Sequence, residues 1–399
     1  MPSLFPRTPP PPQPSTSPDD ASREAWLAVR ALLIITTLLI AIGLTMLYST
    51  SYGIAGLKYF SNQLIWLALG TAGGFVLFFL GYKRAASQSL WWMAGVFILL
   101  IIASTCFAPI KGAARWIRFG SFSIQPSEFA KVVVALFVAK YCSDHARTFS
   151  LLTHKRGLLP LGGAVAAVLL AIISGHDLGT TVLVASTAFA TMLVGGLFWR
   201  YLIVPLLLAG LVGTYIVLFD SMRLGRVTSF MNPEAVQAGK GYQLWHSLLA
   251  LGSGDWFGVG FMTSRLKAKY IPEAHTDFIL AIVGEELGFL AMAFIIILYT
   301  LFGYFGLKIA CRATSRLGML LGFALTFFIT IQAAINLAVV SGSAPTKGMP
   351  APFISYGGSN IIACLAALGL LVSVAFDTID PGYAERFTDK LFFWKKKRR

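Results

Sequence analysis

The stretch PEAHTDFILAIVGEELGF, residues 272–289, carries Glu273, His275, Asp277, Glu285 and Glu286 into an apolar run that continues to Leu301. A carboxylate at the mouth of such a run can take a proton from a substrate hydroxyl, provided that cations nearby hold the charge that builds on a leaving group. The chain supplies cations in three other places: Arg115 and Arg118 in GAARWIRFGSFSIQPSEFAK, Arg265, Lys267 and Lys269 in SRLKAKY, and Lys347 in APTKGMP. Asp177 in SGHDLGTTVLV, and Glu128 with Lys131 in QPSEFAKVVVALF, complete the charges set beside apolar runs. A substrate bearing both a reactive hydroxyl and a phosphate or pyrophosphate suits this set.

Each of these residues also has a structural explanation. Asp277 in the first turn of a helix capped by His275 or Thr276 would stabilise the N-terminus by a fraction of a kcal/mol to about 1 kcal/mol. At about 100° per residue, Ala281, Gly284, Gly288 and Ala291 share its stripe, which allows close helix packing or leaves a cavity under the acid. Glu285 lies roughly 12 Å deeper at 1.5 Å per residue, where a carboxylate must be paired, protonated or wetted. Glu128 and Lys131, at i and i+3, can pair on one face or line a polar cavity. Asp177 reads as a helix N-cap. Solvated loop positions are the ordinary explanation for the cations.

The elements that must position these groups follow from composition. A chain of 399 residues that is 56% hydrophobic and 12% charged is an all-α polytopic membrane protein. Each span needs roughly 20 apolar residues. Ten transmembrane helices are expected, at about 29–49, 59–81, 88–108, 126–142, 157–173, 178–197, 199–219, 277–306, 316–341 and 358–376. The Lys and Arg bias places both termini in the cytoplasm. The net charge of +15 is therefore topological, and the terminal KKKRR suits anionic lipid better than nucleic acid.

Three units result: a disordered cytoplasmic N-terminal tail over 1–28, rich in Pro and Ser, a transmembrane domain over 29–377, and a basic cytoplasmic tail over 378–399. A large extracytoplasmic loop, 220–276, separates helices seven and eight and is too long for a plain connector. Within it, Leu244, Trp245, Leu248, Leu249 and Leu251 recur at helical spacing, as in a short helix with its apolar side in lipid. GSGDWFGVGF could wrap a sugar or phosphate, or simply turn the chain. The four cysteines stand singly, as small core residues without redox or metal spacing.

Four of these stretches carry a resemblance: GAARWIRFGSFSIQPSEFAK, the HDLGTT segment, NPEAVQAGKGYQLWHSLLALGSG with PEAHTDFILAIVGEELGF, and PTKGMPAPFISYGGSN. Over all ten helices the chain resembles the SEDS family (shape, elongation, division and sporulation), polytopic proteins that polymerise peptidoglycan glycan strands. YIPEAHTDF and PTKG resemble the FtsW-like division branch rather than the RodA-like elongation branch. Two positions depart from the family pattern: His176 stands where Pro is usual and Asp255 where Gly is usual.

The resemblance implies a processive, inverting glycosyltransferase at the outer face of the bacterial cytoplasmic (inner) membrane, at the division septum. Its substrate would be lipid II, the undecaprenyl-pyrophosphate-linked disaccharide-pentapeptide, with the growing strand as donor. Asp277 matches the essential acid, the base for the acceptor 4-hydroxyl, with Glu273 one turn before it. Arg115, Lys267, Lys269 and Lys347 are expected on the pyrophosphate, and His275 and Ser355 join the substrate-binding residues. A divalent cation, Mg or Mn, is compatible with pyrophosphate, but no clustered metal ligands stand in the sequence. The family also implies a class B penicillin-binding protein as the crosslinking partner, beside other division-complex proteins. Two other functions fit some features: a lipid II flippase using Glu128, Lys131, Glu285 and Glu286, and a non-catalytic scaffold docking through its tails.

Overall fold

A computed structural model of the chain describes residues 18–108, 113–119, 122–148, 151, 155, 157–219, 221–231, 241–269 and 274–387. Every expected span is helical: α1 (Pro18–Ala55), α2 (Lys58–Leu80), α4 (Ser89–Cys106), α5 (Pro126–Asp144), α6 (Leu158–Ser174), α7 (Leu178–Val194), α8 (Arg200–Phe219), α12 (Ile279–Arg312), α13 (Arg316–Val340) and α14 (Gly358–Ile379). Among the described residues, α1, α2, α4, α12, α13 and α14 are long and apolar enough to cross a membrane. The short helix α3 (Tyr82–Ser87) joins α2 to α4, and the long loop contains α9 (Ser221–Met231), α10 (Tyr242–Ser253) and α11 (Leu266–Lys269). The all-α expectation needs one correction. β1 (Ile117–Phe119) and β2 (Phe122–Ile124) pair antiparallel, Ile117 opposite Ile124, because WIRF and FSI alternate about a turn.

The expected tails are also partly folded. α1 begins at Pro18, so 18–28 is helix rather than disordered tail: Ala25 and Ala28 are buried, and Glu24 pairs with Lys308 (3.2 Å) and Arg312. Residues 1–17 lie outside the described residues. Beyond α14, Tyr383 donates to the Phe78 carbonyl (2.7 Å) and Phe387 stacks on Phe79, which holds 380–387 against α2. The KKKRR run and the rest of 388–399 lie outside the described residues. Of the cysteines, Cys142 and Cys364 are buried, whereas Cys106 and Cys311 are exposed.

α12 is broken where the sequence predicts a continuous stripe. Gly288 has φ 76° and ψ −173°, so helical hydrogen bonding stops there in the middle of an apolar helix. Each backbone group left unpaired in such a place would cost roughly 1–3 kcal/mol. The Gly-rich loop after α10 supplies the partners. Phe289 N–H donates to the Asp255 carbonyl (2.8 Å) and Leu290 N–H to that of Trp256 (3.3 Å), while Val259 and Gly260 N–H groups donate to Glu285 (2.9 Å) and Glu286 (3.1 Å). The loop backbone lies so close to α12 that a side chain at Gly254 or Gly258 would collide with it. GSGDWFGVGF thus wraps a broken helix, and the small residue Gly284 serves close packing, facing Leu251 of α10.

α10 is likewise turned inward. Leu244, Ser247 and Ala250 are buried, Ser247 Oγ donates to the Val340 carbonyl (2.8 Å), and Leu248 rests on Gly342. The apolar side expected in lipid therefore packs on α12 and the end of α13, leaving Leu249 exposed.

Asp255, at φ 45°, occupies the left-handed region that favours glycine, which explains why the family pattern has Gly there. Asp255→Gly should leave the thermal midpoint of the purified protein unchanged or raised. Gly288→Ala should lower it, because backbone strain there costs roughly 1–3 kcal/mol of stability and collision with the Gly258 N–H and Trp256 carbonyl adds to that cost. A wild-type midpoint in Gly288→Ala would contradict the broken-helix arrangement.

Candidate active site

Asp277 stands in a turn before α12, whose N-cap is Phe278, rather than in the first turn of the helix. Its backbone carbonyl accepts from Asn336 Nδ2 (2.9 Å) of α13. Its carboxylate lies against the 346–350 segment, where a Cβ built on Gly348 would be 2.6 Å from Oδ2. Asp277 and Lys347 are half-buried and Gly348 is exposed, so the carboxylate sits at an opening of the protein surface.

Lys347 continues the site toward α7. Its Cε passes over Gly179, 3.2 Å from where a Cβ would be. Burial pushes its ammonium below the usual lysine range, opposed by the charge of Asp177. Asp177 is the N-cap of α7, as its position suggests, with Oδ1 accepting from Thr180 N–H (3.2 Å). It does more than cap. Oδ2 accepts from Gln125 Nε2, Ser127 Oγ and Thr180 Oγ1, each at 2.9 Å, and Arg115 approaches Oδ1 at 3.4 Å. Arg115 Nε is buried with no hydrogen-bond partner. Two cations thus face Asp177, and one of them, Lys347, adjoins the Gly348 that meets the Asp277 carboxylate, an arrangement able to hold an anion. His176, beside the cap, has φ 62°, which proline cannot adopt, so this turn departs locally from the family pattern.

Other expected site residues are placed elsewhere. Lys267 Nζ donates to Glu286 (2.6 Å) and Ser49 (2.8 Å), so its charge is engaged inside the bundle. Glu286 also accepts from the Met262 and Ser264 N–H groups, while Glu285 accepts from Ser264 Oγ and Arg265 N–H. Ser355, expected on the substrate, is 1% exposed and its hydroxyl accepts from Ala351 N–H (2.8 Å); it shapes a turn. The His275 ring packs at a tilt against Tyr59 (4.6 Å) and Tyr356 (5.6 Å), and the His275 carbonyl accepts from Tyr356 N–H (3.1 Å). Lys269 ends α11, with its side chain outside the described residues, as is the whole of Glu273.

Glu128 and Lys131 form a buried ion pair (2.5 Å). Lys131 also donates to Gln332 Oε1 (2.8 Å), and Gln332 Nε2 donates to the Pro350 carbonyl (2.7 Å) and Asn360 Oδ1 (3.0 Å). The pair is the foot of a polar column that supports 346–350. Sequence reading missed Asn336 and Gln332. Their signal was two amides at i, i+4 within ITIQAAINLAVV, where polar side chains in an apolar helix are expected to bridge neighbours. Among the described residues, no three His, Cys, Asp or Glu side chains gather to hold a metal ion.

The model of the cell cycle protein family that groups FtsW, RodA and SpoVE matches residues 29–379. The chain belongs to this family. It is 36% identical to Stage V sporulation protein E of Bacillus subtilis (strain 168), over 86% of this chain and 96% of that one. It is 32% identical to a probable peptidoglycan glycosyltransferase FtsW of Trichlorobacter lovleyi, covering 86% and 92%. Among solved structures it is similar to the rod shape determining protein RodA of Thermus thermophilus, with TM-score 0.65, 25% identity, and coverage of 87% and 96%. It is also similar to a chain from a peptidoglycan synthase complex described as coordinating polymerization and crosslinking, with TM-score 0.72, 25% identity, and coverage of 88% and 98%.

The lowered pKa of Lys347 gives this family member an alkaline signature. A depressed folded-state pKa means that the ammonium loses its charge, as pH rises, before an ordinary lysine near 10.4 does. Where that charge holds an anion, kcat/KM should fall along an alkaline limb below that value. Lys347→Arg, charged throughout, should move the limb upward; a limb that stays in place would free Lys347 of the role.

Proposed function

We propose that the chain is a peptidoglycan glycosyltransferase that polymerises lipid II during cell division, with Asp277 as general base. The observation that carries the reading is the Asp277 carboxylate set against Gly348, next to Lys347 and the Asp177–Arg115 pair, in a family whose relatives include proteins named for this activity. Asp277 takes the proton of the acceptor hydroxyl as its oxygen forms a bond to the donor anomeric carbon. The bond from that carbon to the pyrophosphate breaks from the opposite face, which inverts the centre. Lys347 and Arg115 hold the charge on the departing pyrophosphate. The pyrophosphate is compatible with a Mg or Mn ion, and the mechanism does not require one. Ten spans, cytoplasmic termini and an outer 220–276 loop keep the lipid tails in the bilayer while the sugars meet Asp277. The crosslinking partner in this reading is a class B penicillin-binding protein, in keeping with the likeness to a synthase complex. The charges that would suit a flippase are engaged: Glu128 with Lys131, Glu286 with Lys267, and Glu285 with Ser264.

Asp277→Asn keeps the size of the side chain but cannot take the proton. It should fold, bind lipid II and assemble with the partner, yet lose about 10²–10⁴ in polymerisation rate. Gel analysis of polymer from labelled lipid II checks this, and near-normal polymer would reject the base assignment. For topology, cysteines placed singly at Thr263 and Glu385 in a cysteine-free background should react with an impermeant reagent on intact spheroplasts only at Thr263. Labelling only at Glu385 would reverse the orientation.

A further inference from the structure

We propose that Asn336 is a positioning residue that holds the general base in register with the 346–350 segment, an inference that rests on the glycosyltransferase reading above. Asp277 and Gly348 come from segments that meet at no helix and no sheet. The Asn336 amide reaches both: Nδ2 donates to the Asp277 carbonyl (2.9 Å) and to the Met349 carbonyl (2.6 Å). Both of its N–H bonds are spent on backbone oxygens one residue from Phe278, the cap of α12, and one residue from Gly348.

The orientation of the amide follows from these acceptors. Asn336 is 1% exposed, and its Oδ1 is buried with no hydrogen-bond partner. Turning the amide over would satisfy nothing and would set Oδ1 against two carbonyl oxygens, so only the NH₂ end can face them. A buried amide that leaves its own acceptor unmet while spanning two chain segments is acting as a bridge. One turn below, Gln332 supports the same segment through the Pro350 carbonyl and is itself held by Lys131. Without the Asn336 bridge, 346–350 would stay tied at Pro350 but lose the shared donor that joins the Met349 and Asp277 carbonyls. The carboxylate would then be displaced relative to Lys347 with the bundle intact.

The test is a double-mutant cycle on initial rates with labelled lipid II, using the full chain assembled with its crosslinking partner. Asn336→Leu removes both donors at similar size. Gly348→Ala displaces the same carboxylate by another route, since its Cβ would lie 2.6 Å from Oδ2, the movable end of a side chain. Each should keep its melting midpoint within a few degrees and lose roughly 10- to 100-fold in kcat, with KM for lipid II within about threefold. The double variant should lose less than the product of the two, because both act on one carboxylate. A kcat for Asn336→Leu within about twofold of wild type, a rise in KM alone, or multiplicative losses would overturn the inference. If Asn336→Leu does not fold, Asn336→Ser completes the same cycle under the same criteria. Asp277→Asn run alongside separates the two ideas: substantial polymer from it removes the base reading itself, whereas an inactive Asp277→Asn with a normal Asn336→Leu removes only the positioning role.

Discussion

A carboxylate taken out of water among apolar helices costs several kcal/mol unless donors surround it, and the fold is organised around meeting that demand. Glu286, 0% exposed, collects Ser49 of α1, Lys267 and two loop N–H groups. Asp177 gathers Arg115, Gln125, Ser127 and Thr180. At the other end of α14, Asp377 draws in Tyr82, Lys83 and Thr314. Each acid joins segments far apart in the chain, so an electrostatic requirement becomes a tertiary constraint. Helices packed only by small apolar contacts could slide, whereas helices sharing a buried charge are fixed in depth.

The opening that holds Asp277 inherits this rigidity. α13 carries the support on one face: Gln332 and Asn336 lie one turn apart and reach Pro350, Met349 and Asp277 in order. Below them the Glu128–Lys131 pair anchors Gln332. The Asp277 carboxylate is thus positioned by backbone contacts, and the Glu128–Lys131 pair deep in the bundle supports it through Gln332.

Much of this was legible in the sequence because long apolar runs and isolated charges are strong signals. All ten helical segments and the cap at Asp177 follow from them, and Asp277 stood out as an acid at a helix mouth. What could not be read has physical causes. Amides such as Asn336 carry no charge and stand among apolar neighbours like any tolerated polar residue. Lys267 looks the same in a string whether it faces a phosphate or Glu286. A Gly-rich run permits close approach to any backbone, and the break at Gly288 with the hydrogen bonds across it reveals that its target is α12. Asp255 was informative in retrospect, since a non-glycine at φ 45° marks the turn that the family pattern fills with Gly.

The threading of 254–260 through the break in α12 also sets a rule of length. Loops on the surface of a membrane protein ordinarily tolerate insertions, because their backbone bonds to water. This one is in register with a helix: Asp255 and Trp256 answer Phe289 and Leu290, and Val259 and Gly260 answer Glu285 and Glu286. One added or missing residue between these pairs would misalign every donor and acceptor downstream. The segment is connected like a loop but counted like a strand.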